Sequence, residues 1–156
     1  MSKKDLKFFM REQKEEIVTA PAPSSFIDDE GKPIELEIKV IGQARIQELF
    51  ANYRKRSVAT DKKGTPYITP SGEVAFKTER DSQRAVRHII AEALVYPNLQ
   101  DPDLMKYYNC ADITDMPLKV FAKADEYSHV SQMVMSALGY GTEPQSEDDL
   151  IDEAKN

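Results

Sequence analysis

The chain has 156 residues and 17.7 kDa, of which 40% are hydrophobic and 31% charged, with a net charge of −6 and a mean hydropathy of −0.56. That length accommodates one domain with its own core rather than two large ones. No apolar run approaches the roughly 18 residues of a membrane helix, no secretory leader is expected at Met1–Lys7, and the single cysteine, Cys110, excludes an intramolecular disulfide and makes the cytoplasm the default compartment.

In chain order, Leu6, Phe8, Phe9, Met10 and Ile17 lie among charged residues, clustered rather than periodic, and predict at most a short amphipathic helix. Thr19-Ala20-Pro21-Ala22-Pro23-Ser24-Ser25 reads as an extended linker. Residues 1–23 are therefore expected to form an N-terminal arm and Pro-rich linker. Two adjacent phenylalanines on an arm are expected to dock, either on their own domain or on a partner. Residues 24–141 are expected to form a single α+β domain, mainly helical after 78.

Ile34, Leu36, Ile38 and Val40 alternate with Glu35, Glu37 and Lys39, which predicts a half-buried strand. Gly31 supplies a turn, so a hairpin is expected between 25–27 and 34–40. A helix is expected over 43–56, with Ile46, Leu49, Phe50 and Tyr53 on one face. Tyr67-Ile68-Thr69 and Val74-Ala75-Phe76 flank Pro70-Ser71-Gly72-Glu73 and predict a second hairpin. Thr78 or Asp81 caps a helix ending at Tyr96 before Pro97. Asp101-Pro102 opens another helix. Residues 118–138 predict one long helix or two with a bend, and Gly139 suits the C-terminal cap.

The last 14 residues hold six acidic residues and one base, which leaves the rest of the chain almost neutral. Residues 142–156 are expected to be an acidic, disordered tail or an exposed helix from Ser146, whose plainest use is solubility.

The chemistry-bearing motifs are sparse. There is no Gly-rich phosphate loop, no His-x-Glu pair and no Gly-x-Ser-x-Gly elbow. Cys110, His88 and His129 cannot close a structural zinc site by themselves. No catalytic residue, metal or cofactor is expected, and the chain is not expected to be an enzyme. Residues 43–90 carry ten bases against five acids. Arg80, Arg84 and Arg87, at i, i+4 and i+7, would share a helix face able to meet phosphates. The plainer reading is a solvated face or one that attracts the acidic tail. The acidic overall balance makes nucleic acid the weaker partner class.

The whole pattern resembles the XkdN-like tail assembly chaperones of PBSX-type phages and prophages, which include the YqbN proteins. The matching elements are Phe8-Phe9-Met10, Phe26 with Asp29-Glu30-Gly31-Lys32-Pro33, and Ala93-Leu94-Val95-Tyr96-Pro97-Asn98-Leu99 with Leu104. Met116-Pro117, Asp125-Glu126-Tyr127 and Leu138-Gly139-Tyr140 continue the match to about residue 140. The resemblance implies a non-enzymatic protein that binds the tape-measure protein before tail assembly and helps recruit tail tube subunits. It transfers no binding residues. On exposure arguments the partner surface is expected at Phe8, Phe9, Met133, Met135 and Tyr140, although methionines also fill cores. A structural tail component retained in the particle is the alternative within the same setting. The resemblance also implies two product lengths made by ribosomal frameshifting. Ala154-Lys155-Asn156 is encodable as GCA-AAA-AAC, a slip-prone run that the gene's last codons would test.

Overall fold

The computed structural model describes residues 4–140, so the acidic segment 142–156 and the frameshift site lie outside the described residues. The fold is α+β, with antiparallel strands leading and a mainly helical second half.

Strand β2 (Glu35–Lys39) organises the first sheet. Its alternation is as expected: Leu36 and Ile38 are buried, while Glu35 and Glu37 face water. It pairs on one side with β1 (Ile17–Pro21), in register Val18 to Ile38 and Ala20 to Leu36. On the other side it pairs with β5 (Leu94–Tyr96), giving the order β1-β2-β5.

Two expectations change here. The stretch read as a linker includes β1, so the ladder partner of β2 lies N-terminal to the expected 25–27. Val18 and Ala20 give β1 an inward face, and Pro21 sits at the end of an edge strand, where its missing N–H costs little. Ile27 keeps an isolated bridge to Pro33 within the connection. The helix expected to reach Tyr96 is α2 (Ser82–Ala93), with Asp81 as its cap. Leu94-Val95-Tyr96 leaves the helix because the residue before Pro97 disfavours helical geometry and the free edge of β2 accepts these strand-forming residues.

Helix α1 (Gln43–Asn52) buries Ile46 and Leu49 against α2. It ends four residues before the expected Arg56, and Arg54–Val58 becomes strand β3. Arg54-Lys55-Arg56-Ser57-Val58 offers no apolar residue at helical spacing, and its β-branched end suits a ladder. Strand β4 (Phe76–Arg80) pairs with β3 in a separate two-stranded sheet. The expected turn is present, with Gly72 at φ 87° and an Ile68–Val74 bridge, but the main ladder lies further from it than the sequence suggested.

Helix α2 is the hub of the second half. Ala85, Ile89, Ile90 and Ala93 form its buried face, and it packs on α1, β5, α4 (Met116–Val120) and α5 (Ala124–Ala137). Of the two arrangements expected over 118–138, two helices with a bend is the one found, and the break falls where Phe121 turns inward. Phe121 is buried and meets Phe26 edge-to-face at 5.5 Å. Helix α3 (Pro102–Tyr107) starts as expected, with Asp101 Oδ1 accepting from the backbone of Asp103 and Leu104.

Across α1 and α2, Arg45 donates from Nε and one terminal nitrogen to Glu92 at 2.6–3.1 Å. The guanidinium holds the Glu92 carboxyl below its usual range. No helix among the described residues is long and apolar enough to cross a membrane.

Candidate partner-binding surfaces

The N-terminal arm is the most exposed apolar segment. Leu6–Phe9 forms a short 3-10 helix, started by Asp5 Oδ1 accepting from Lys7 N at 2.9 Å. Phe8 is 73% and Phe9 82% exposed, and Leu6 and Met10 are exposed beside them. The arm therefore does not dock on its own domain in this structure. Four large apolar side chains on one short segment stand in water, and each would contribute about 1.5–3 kcal/mol on full burial.

The other nominated residues lie at the end of α5. Met133 and Met135 are half-buried and pack against the core, so the filler reading describes them. Tyr140 is set by the helix terminus. Gly139, at φ 98°, donates to Ser136 O, and Tyr140 N donates to Met135 O, both at 3.0 Å. This is a Schellman motif, which needs a residue tolerant of positive φ at the glycine. It leaves the Tyr140 ring half-exposed, with its hydroxyl donating to Gln43 Oε1 at 2.8 Å.

Between the hairpin and the helices runs an apolar groove of 110 Å³, lined by Phe26, Ile34, Tyr96, Leu104, Val120 and Phe121 among others. These residues come from four distant stretches of sequence, so no local motif announces the groove. Elsewhere Glu126 accepts from Lys123 N at 3.2 Å and from the Ser25 hydroxyl, while His129 Nε2 donates to Pro21 O at 2.8 Å. These bonds tie the hairpin to α5. His129 thus sits at the boundary between α5 and β1, bonded to backbone.

Arg80, Arg84 and Arg87 do not share a helix face. Arg80 is the last residue of β4. Arg84 bonds Asp112 Oδ2 at 2.7 Å and Thr114 Oγ1 at 3.2 Å, and Arg87 bonds Thr114 O at 2.8 Å. The two helix arginines therefore fasten the loop before α4 to α2.

Asp112 is held below the usual aspartate range by donation from the Thr114 backbone and hydroxyl, then by Arg84. A carboxyl depressed by folding contributes stability that is complete above its unfolded pKa and is lost as pH falls through its folded value. Thermal melts from about pH 7 to about pH 3 should therefore show a loss below about pH 4 that is smaller in Asp112→Asn. Parallel curves for the two proteins would contradict this role.

A basic surface does exist, on the β3–β4 hairpin. Pairing places Arg54 opposite Arg80, Arg56 opposite Thr78 and Val58 opposite Phe76. Directly opposed residues share a face, and all six are exposed. Arg56 stacks on Phe76, with its Cζ 4.0 Å from the ring centroid. This face has three arginines, two apolar side chains and no carboxylate. The opposite face holds Lys55 and Lys77 with Glu79, which also accepts from Ser57 Oγ at 3.1 Å. Neither strand packs extensively on any other element. The sequence showed the excess charge but not this face, because Arg54 and Arg56 were placed in a helix.

Comparison with known proteins is consistent with this architecture. Residues 6–155 match the family described as phage XkdN-like tail assembly chaperone protein. The crystal structure of the protein YqbN is similar, with 25% identity and a TM-score of 0.66 over 90% of this chain and 100% of that one. No match was found among the curated proteins.

Proposed function

The chain belongs to the phage XkdN-like tail assembly chaperone family, and from that premise we propose that it binds the tape-measure protein in the host cytoplasm before the tail is built. It acts there without catalysis and hands the complex on to the tail tube subunits. The observation that carries the reading is the arm: Leu6, Phe8, Phe9 and Met10 are exposed together on a body whose other large apolar residues mostly pack. A long helical protein exposes apolar stripes until it is assembled, and an apolar segment laid along such a stripe covers it. The groove beside Phe26 and Tyr96 offers a second apolar contact for the same helix. Tyr140, at the far end of α5, is the remaining proposed contact.

The test is co-expression of the tape-measure protein from the same tail gene cluster, with and without this chain. The expected result is a soluble tape measure that co-migrates with the chain on gel filtration, and an insoluble one without it. Equal solubility in both cultures, with no complex, would overturn the reading.

A further inference from the structure

The arginine face of the β3–β4 hairpin is built for an anionic, partly apolar ligand. Arg54 and Arg80 are directly opposed, an arrangement that is unfavourable unless negative charge is brought to it. Among the described residues, no carboxylate lies within ion-pair distance of Arg54, Arg56 or Arg80. Val58 and Phe76, the next opposed pair on this face, add an apolar patch beyond Arg56 at the far end from Arg54 and Arg80. The whole hairpin, 54–80, has seven basic and three acidic residues.

We propose that this face is the docking site of the chain's own acidic C-terminal segment, Glu143–Glu153. Charge complementarity is the first argument. The segment supplies Glu143, Glu147, Asp148, Asp149, Asp152 and Glu153, with Leu150-Ile151 as an apolar pair in their midst. The carboxylates match the three guanidiniums, and the apolar pair matches Phe76 and Val58.

Reach is the second argument. Tyr140 bonds Gln43, so the described chain leaves the body beside the first turn of α1. The ten residues of α1 rise about 15 Å toward the hairpin base at Arg54. Leu150 is ten residues past Tyr140, a distance of up to about 33 Å when extended. Tethering raises the local concentration of the segment to the millimolar range, so individually weak contacts suffice. The proposal does not depend on tape-measure binding.

The test compares amide NMR spectra of the full chain with a neutral-tail variant carrying Glu147→Gln, Asp148→Asn, Asp149→Asn, Asp152→Asn and Glu153→Gln. The expected differences fall at Arg54, Arg56, Phe76, Thr78 and Arg80. The same amides should move in the full chain at 1 M salt, where screening acts over ~3 Å. A peptide of residues 141–156 added to the neutral-tail variant should restore the shifts, and should fail to do so when Arg54→Gln, Arg56→Gln and Arg80→Gln are also present.

Superimposable hairpin amides would overturn the proposal, as would shifts confined to other elements. Shifts that vanish on dilution would assign the site to a second copy's tail and overturn docking within one chain. A single-stranded oligonucleotide that binds the full chain and the neutral-tail variant equally, through the hairpin, would show the face unoccupied and overturn it too.

Discussion

Replacing both arm aromatics, Phe8→Ala with Phe9→Ala, should leave folding stability within about 0.5 kcal/mol, as expected for exposed sites, while nearly abolishing capture of the tape-measure protein. Both rings stand in water in the isolated chain, so their removal creates no cavity and strands no hydrogen bond. In a complex each ring would become a buried anchor, and truncating such an anchor costs about 2 kcal/mol or more. Together that is about 4 kcal/mol, or several hundred-fold in affinity. Titration of the tape-measure protein against both chaperones, with parallel thermal melts, checks this. The two readouts separate the two fates open to an apolar arm. If the arm packs on its own domain in solution, the melting temperature falls and binding changes little. If it is a partner contact, the reverse is seen.

The largest loss of stability is expected at Phe121→Ala. Phe121 is buried at the break between α4 and α5, where its ring meets Phe26 edge-to-face. It is the point at which the hairpin connection, the groove and the helical half converge. Truncating a buried phenylalanine costs about 3–5 kcal/mol, a large part of the ~5–15 kcal/mol that holds a domain of this kind together. For a chain of this length the melting temperature should drop by roughly 10 °C. Phe121→Leu keeps most of the volume and should recover most of the loss. A drop of only a degree or two in the alanine variant would mean that α4 and α5 are held by contacts other than this one.

Much of the fold was legible where burial is periodic along the chain. Leu36 and Ile38 alternate with glutamates, and the strand follows. Ile89, Ile90 and Ala93 recur at helical spacing, and α2 follows. Asp101-Pro102 and Gly139 mark helix ends by their own backbone chemistry, without help from distant residues.

The errors share one physical cause: short β segments gain their stability from a partner that local sequence does not contain. Ile17–Pro21, Arg54–Val58 and Leu94–Tyr96 each pair with a strand brought near by the rest of the fold. The same limit hid the groove, whose walls are far apart in sequence, and the arginine face, which exists only once β3 and β4 are in register. Of the nominated contact residues, Phe8 and Phe9 are exposed and Tyr140 is half-exposed, whereas Met133 and Met135 serve the core. Composition cannot distinguish a methionine that fills a gap from one that meets a partner.

Purification from its native gene context would show whether this chaperone engages the tape-measure protein. The full chain would be tagged at its N-terminus, with the downstream genes kept in place and every recovered protein identified by mass spectrometry. The expected result is stoichiometric recovery of the tape-measure protein and loss of that recovery in the Phe8→Ala/Phe9→Ala variant. Recovery of the chain alone, from cells shown to contain the tape-measure protein, would contradict it, as would its presence as a constituent of purified, finished particles.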